Sequence, residues 1–140
     1  LVGPNVLGMV DTVTPINASF AAGMPEPGTI SFMSQSGALC TAILDWAEAH
    51  DIGFARFISI GNKADVNEID LLEAWNADDK TSVMIAYLEG ITDGQKFIET
   101  ARKVTQNKPV IVLKSGNTGA GARAASSRSR CSPRAGMRAQ

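Results

Sequence analysis

Thr29-Ile30-Ser31-Phe32-Met33-Ser34-Gln35-Ser36-Gly37-Ala38-Leu39-Cys40 is the stretch that decides the fold. Residues 29–33 are β-branched, aromatic or apolar at most positions and read as a strand. Ser34-Gln35-Ser36-Gly37 then turns the chain, and a helix is expected from there to His50. Its apolar positions Leu39, Ile43, Leu44 and Ala47 recur at three- and four-residue spacing, which marks one buried face. Strand, polar turn and amphipathic helix together make the first half of a crossover unit.

Outward from this unit the pattern repeats. Residues 54–60 read as a second strand, 61–65 as a loop, and 68–75 as a short helix with Ile69, Leu72 and Trp75 on one side. Residues 82–88 are a third strand, apolar at nearly every position, the pattern of a strand buried on both faces of a parallel sheet. Glu89-Gly90-Ile91-Thr92-Asp93-Gly94 leads into a helix over 94–106, and 109–114 form a fourth strand. The alternation predicts an α/β fold, a three-layer sandwich with a mostly parallel sheet and right-handed crossovers. Residues 1–27, punctuated by Gly3-Pro4-Asn5, Gly23, Pro25 and Pro27, are expected to be irregular.

The chain has 140 residues, 44% hydrophobic and 19% charged, enough for one domain with a core. Two Cys and one His exclude a Cys/His zinc cage and a disulfide scaffold. Apolar runs such as 110–113 are too short to span a bilayer, and no segment has the order of a signal peptide. A reduced, cytoplasmic domain is the expectation. The net charge of −1 hides a split. Arg123, Arg128, Arg130, Arg134 and Arg138 lie in the last 18 residues, which hold no Asp or Glu, while the preceding 122 residues carry eight bases and 14 acids. The chain also starts at Leu1 inside a Gly/Pro-rich segment, as expected for a piece of a longer protein.

In parallel sheets, ligands bind beyond the C-terminal strand ends. Here those are residues 34–37, 61–65, 89–94 and 115–121, all rich in Gly, Ser, Asn or Asp. Ser36 and Gly37 open a helix, where backbone N–H groups and the helix dipole favour a phosphate. The same residues also suit an ordinary N-cap. Glu89 can orient a histidine or hold a proton, or it can simply cap the next helix. Lys63 can meet a phosphate or belong to a polar turn. His50 suits a surface helix end, Cys40 a core thiol, Cys131 an exposed tail position, and Trp46 and Trp75 packing. No GxGxxG, GxxxxGK[ST] or HExxH pattern is present, so the chain has no nucleotide loop of its own.

At these loops the chain resembles a known family. Gly3-Pro4-Asn5-Val6-Leu7-Gly8, Ser34-Gln35-Ser36-Gly37-Ala38-Leu39, Gly61-Asn62-Lys63-Ala64-Asp65-Val66, Tyr87-Leu88-Glu89-Gly90, Lys108-Pro109-Val110-Ile111-Val112-Leu113-Lys114-Ser115-Gly116 and Gly119-Ala120-Gly121-Ala122-Arg123-Ala124-Ala125-Ser126 occur in the family's order. Six such motifs in register are specific where each alone is weak. They resemble the succinyl-CoA-ligase-like, flavodoxin-like domain of ADP-forming acyl-CoA (acetyl-CoA) synthetases, over about residues 1–127. The resemblance implies a reaction that interconverts acyl-CoA, ADP and phosphate with acid, CoA and ATP, through an acyl phosphate and a phosphohistidine. It implies CoA, ATP/ADP and Mg²⁺ in the parent enzyme, a CoA-binding Rossmann domain and an ATP-grasp domain or subunit as partners, and an oligomer. Residues 1–27 would then lead in from a missing CoA-binding domain, 28–122 form the flavodoxin-like domain, and 123–140 are a basic, non-native or disordered tail.

By position, the resemblance makes Ser36 and Gly37 the phosphate-binding pair and Glu89 the carboxylate that orients the phosphohistidine. Asn5, Asn62 and Asp65 fall in loops toward the acyl and CoA end, and no metal ligand is implied within the chain. Two departures stand out. Val6 occupies a position where the family usually has Cys. After Ala125-Ser126-Ser127 the family continues His-Thr-Gly, whereas this chain reads Arg128-Ser129-Arg130. Arginine stays protonated and cannot accept a phosphoryl group as imidazole does. The break coincides with the basic tail, which reads as a translated frame shift. Two other readings are a regulatory module of a GNAT-type lysine acetyltransferase and a nucleic-acid-binding arm. The second lacks any aromatic residue to stack a base, so no nucleic-acid or membrane partner is expected.

Overall fold

The computed structural model describes residues 1–116. Six strands form one sheet: β1 (Gly8–Asp11), β2 (Ile16–Ser19), β3 (Pro27–Ser34), β4 (Phe54–Ser59), β5 (Val83–Leu88) and β6 (Val110–Lys114). Three helices accompany them: α1 (Gly37–Ala49), α2 (Glu68–Ala77) and α3 (Gly94–Val104). The spatial order is β2-β1-β4-β3-β5-β6. The β4-β3-β5-β6 portion is parallel, as the βαβ alternation requires, with Phe32 opposite Phe57 on one side and Ile85 on the other. The fold class is α/β, with a sheet that is mixed because β1 joins β4 antiparallel.

The expectation that residues 1–27 are irregular is corrected by the β1–β2 hairpin, which pairs Gly8 with Ser19 and Asp11 with Ile16. Its strands have four residues each and β2 is largely exposed, so the hairpin carries little apolar alternation of its own. Its place is fixed instead by β4. Val10 is buried opposite Phe57, and the Arg56 guanidinium reaches both Asp11 on β1 and Asp78 at the end of α2.

The helices sort onto two faces. On one, α1 lays Cys40 and Ala47 against Phe32, Phe54 and Phe57. On the other, α2 and α3 bring Ile69, Leu72, Trp75, Phe97 and Val104 onto Met33, Ile58, Met84, Ala86 and Leu88. Caps set the starts: Asn67 and Asp70 form a reciprocal capping box at α2, and Asp93 caps α3. Strand β5 departs from two-faced burial. Met84, Ala86 and Leu88 are buried, but Val83, Ile85 and Tyr87 are only half-buried on the side of α1. Trp46 departs from its expected packing role and is 53% exposed, stacked on His50 with ring centroids 4.3 Å apart.

Candidate functional site

The loops after β3, β4 and β5 and the end of β6 meet at one edge of the sheet. At the first, Ser36 takes extended backbone angles and its hydroxyl accepts the Leu39 N–H at 3.3 Å, so it is the N-cap of α1. Ser34 braces it from below: its hydroxyl accepts the Ser36 N–H at 2.9 Å and donates to the Ser36 carbonyl at 3.1 Å. The first amides of such a helix have no carbonyl one turn back and point outward. They face a cleft of about 380 Å³ lined by Asn5, Leu7, Gln35, Ser36, Gly37 and Thr41, among others. Among the described residues no carboxylate lines this cleft, so an anion there would meet helix amides, a hydroxyl and side-chain amides.

Asn5 reaches the cleft because residues 1–6 are stitched to the loop after β4. Asn62 N–H donates to the Pro4 carbonyl at 3.0 Å, and Ala64 N–H to the Gly3 carbonyl at 2.9 Å. Gly61 makes this approach possible. Its φ is +52°, and a Cβ there would lie 2.3 Å from the Pro4 oxygen. Leu7 N–H donates to the Ser59 hydroxyl at 3.1 Å, closing the same seam from β4. Asn62 and Asp65 themselves do not line the cleft. Asp65 is exposed and pairs with the amino group of Leu1 at 2.6 Å.

Glu89 follows β5 directly, beside the cleft. Its N–H and that of Gly90 donate to the Gln35 side-chain oxygen at 2.7 and 3.0 Å. Lys114 Nζ donates to the Glu89 carbonyl at 2.9 Å. Of the expected site residues, then, Asn5, Ser36 and Gly37 share one cleft, Glu89 is tied to it through Gln35, and Asn62 and Asp65 stand on the adjoining loop. Gln35 and Lys114 were not singled out from sequence. A polar residue inside a Ser-x-Ser turn has no periodic signature, and its partner lies 54 residues away.

Lys63 resolves into a structural contact. Its ammonium is engaged by Glu68 and the Gly90 carbonyl, each at 2.8 Å, and does not face the cleft. Cys40 is fully buried; burial pushes its thiol up, against opposing hydrogen bonds from Ser34 and Ser59, so it stays a neutral core thiol. His50 ends α1, exposed, with Nδ1 at 2.7 Å from the Trp46 carbonyl. Arg128, Cys131 and the basic tail lie outside the described residues. Among the described residues, no group of three or more His, Cys, Asp or Glu could hold a metal, and no helix is long and apolar enough to cross a membrane.

A strand–turn–helix unit at the centre of the parallel part of the sheet, with a cleft at its C-terminal edge, defines a flavodoxin-like α/β domain. The chain belongs to the succinyl-CoA-ligase-like flavodoxin domain family, whose profile matches residues 27–136. It is 48% identical over 127 residues to ADP-forming acetate–CoA ligase I of Archaeoglobus fulgidus, covering 91% of this chain and 18% of that protein. It is 42% identical over 127 residues to the alpha subunit of ADP-forming acetate–CoA ligase I of Pyrococcus furiosus, covering 91% of this chain and 28% of that subunit. Among solved structures it resembles the dinucleotide-forming acetyl-coenzyme A synthetase 1 of Candidatus Korarchaeum cryptofilum in complex with phosphate and ADP. There the TM-score is 0.84 and the identity 41%, over 90% of this chain and 28% of that one. The chain thus spans between 18% and 28% of the length of these relatives.

Proposed function

We propose that this chain is the phosphohistidine-handling domain of an ADP-forming acyl-CoA synthetase, and that as it stands it does not turn over by itself. The observation that carries the reading is the cleft at the N-terminus of α1, lined by Ser36, Gly37 and Asn5, with no carboxylate among its described lining residues, and tied through Gln35 to Glu89. In the proposed sequence, phosphate attacks the acyl thioester, releasing CoA and forming an acyl phosphate. A histidine takes the phosphoryl group and releases the acid, and ADP then takes the group from histidine to give ATP.

The chain's own residues would do four things. The α1 amides and the Ser36 hydroxyl would bind the phosphoryl oxygens by hydrogen bonds whose donors are already fixed, so no reorganisation is needed as charge develops. Gly37, with nothing nearer than 4.0 Å to a notional Cβ, leaves the approach open. The Glu89 carboxylate would accept from the imidazole N–H, fixing the tautomer and making the other ring nitrogen more nucleophilic. Asn62 and Asp65 would face the acyl and CoA end. Mg²⁺ would accompany the nucleotide on an ATP-grasp domain or subunit, and CoA would sit on a Rossmann domain; both are partners outside this chain, in a cytoplasmic oligomer.

Arg128 stands where the motif calls for the histidine, which is why turnover is not expected. The similar proteins are ligases, which favours this reading over a module of a lysine acetyltransferase. The test is a graft: residues 1–127 replace the matching segment of the Archaeoglobus fulgidus ligase. ATP formation dependent on acetyl-CoA, ADP and phosphate is expected; a folded graft that makes none contradicts the proposal.

A further inference from the structure

Lys63 and Glu68 form a buried ion pair that the reaction above does not use. Lys63 Nζ donates to Glu68 Oε2 and to the Gly90 carbonyl, both at 2.8 Å, and the two side chains are 6% and 0% exposed. The other oxygen of Glu68 accepts the Thr92 N–H at 3.4 Å. A buried pair of this kind contributes little net stability, because desolvation of both charges offsets their attraction. Its geometry is more informative. Lys63 sits at φ +52°, a left-handed conformation that a lysine rarely adopts, and from there its side chain crosses from the loop after β4 to the loop after β5.

That second loop is the one carrying Glu89. Its backbone is gripped at five groups: the Glu89 N–H and carbonyl, the Gly90 N–H and carbonyl, and the Thr92 N–H. The grips come from Gln35 after β3, Lys63 and Glu68 after β4, and Lys114 at the end of β6. Gly90 is exposed, with nothing within 4 Å of a notional Cβ, so local packing does not hold it. An ungripped glycine next to a functional carboxylate would let that carboxylate wander.

We propose that Lys63, with Glu68, is a positioning residue for Glu89: it anchors the Gly90 carbonyl and so fixes the backbone from which the Glu89 carboxylate is aimed. This rests on the reading of Glu89 as the group that orients the imidazole. The same contact joins the loop bearing Asn62 and Asp65 to the loop bearing Glu89, so the acyl end and the phosphoryl end share one rigid support.

The test uses Lys63→Met combined with Glu68→Gln, since Lys63→Met alone strands a buried carboxylate and can unfold the chain. The double variant removes both charges and keeps an oxygen for Thr92. In the 140-residue chain, amide hydrogen exchange at Glu89, Gly90 and Thr92 should quicken about fivefold, the loss of one ordinary hydrogen bond, with β3 and β5 amides unchanged. In the full-length graft, kcat should fall about 10-fold to 100-fold with KM for acetyl-CoA unchanged, as misplacement of a catalytic group does. Unchanged exchange at residues 89–92, or unchanged kcat, overturns the proposal. Glu89→Gln in the same graft separates the two ideas. If it is slow while the double variant is at full rate, the Glu89 reading stands and the Lys63 proposal falls. If Glu89→Gln is itself at full rate, the Glu89 reading falls, and the Lys63 proposal with it.

Discussion

The Gln35 side-chain oxygen accepts two consecutive backbone N–H groups, those of Glu89 at 2.7 Å and Gly90 at 3.0 Å. The turn that opens α1 and the residue that follows β5 are thereby one unit, although 54 residues separate them. Gln35→Leu removes the acceptor for both amides. It should destabilise the chain by about 1–3 kcal/mol in urea titrations, the cost of leaving partly buried donors unpaired. Exchange at the Glu89 and Gly90 amides should rise with it. An unchanged urea midpoint would show that water replaces the Gln35 oxygen without cost.

Gly61 is a second point where one atom decides the geometry. Gly61→Ala places a methyl group 2.3 Å from the Pro4 oxygen and 2.5 Å from the Asn5 oxygen, on a backbone at φ +52°. The left-handed conformation alone costs about 1–2 kcal/mol for a residue with a Cβ. The methyl must also push residues 4–5 off the loop, displacing Asn5 from the cleft. The variant should lose at least that stability and show chemical-shift changes over residues 1–6 and 61–66. A wild-type midpoint would contradict the seam.

The pH dependence of stability should come from Asp11 and Asp78. Burial pushes each carboxyl up, but hydrogen bonds outweigh it, from Thr14 and Val13 at Asp11 and from Thr81 and Lys80 at Asp78. The Arg56 charge adds to both, and each ends below its ordinary value of 3.8. A depressed folded-state value means the stabilisation is fully present above 3.8 and is lost as the pH falls through the folded value. The urea midpoint should therefore hold between about pH 7 and pH 5 and drop in more acid solution. Arg56→Met should lower the plateau and shallow the acid limb. An acid limb of unchanged steepness would remove Arg56 from the account.

In the core, Leu72 is fully buried in the cluster beneath α2. Leu72→Ala should cost about 2–5 kcal/mol, read as a shift in the thermal or urea midpoint. A cost below that range would mean that the α2 face collapses onto the cavity.

The parallel half of the sheet was legible because its strands and helices carry their own periodicity. Leu39, Ile43 and Ala47 repeat at helical spacing, and the short apolar run ending at Leu88, bounded by turn residues, fits a strand. The β1–β2 hairpin was not, because Ile16, Asn17 and Ala18 are exposed and their pairing is dictated by β4, which no local pattern reports. The run at 83–88 overstated burial for a related reason. Helix α1 packs over β3 and β4, leaving Ile85 and Tyr87 half-covered. At the site, Ser36 and Gly37 were legible because a helix start has a signature. The grip of Gln35, Lys63 and Lys114 on the loop after β5 was not, since it depends on which strand ends become neighbours.

Residues 1–127 are proposed to serve a phosphohistidine relay that Arg128 stops. Two grafts into the Archaeoglobus fulgidus ligase decide this: one carries residues 1–127 followed by that enzyme's own continuation, and the other carries residues 1–128, so that Arg128 is included. Each is incubated with radiolabelled ATP and examined for acid-labile, base-stable phosphoprotein. Label is expected on the first and none on the second. Absence of label on a folded first graft, or label on the second, would contradict it.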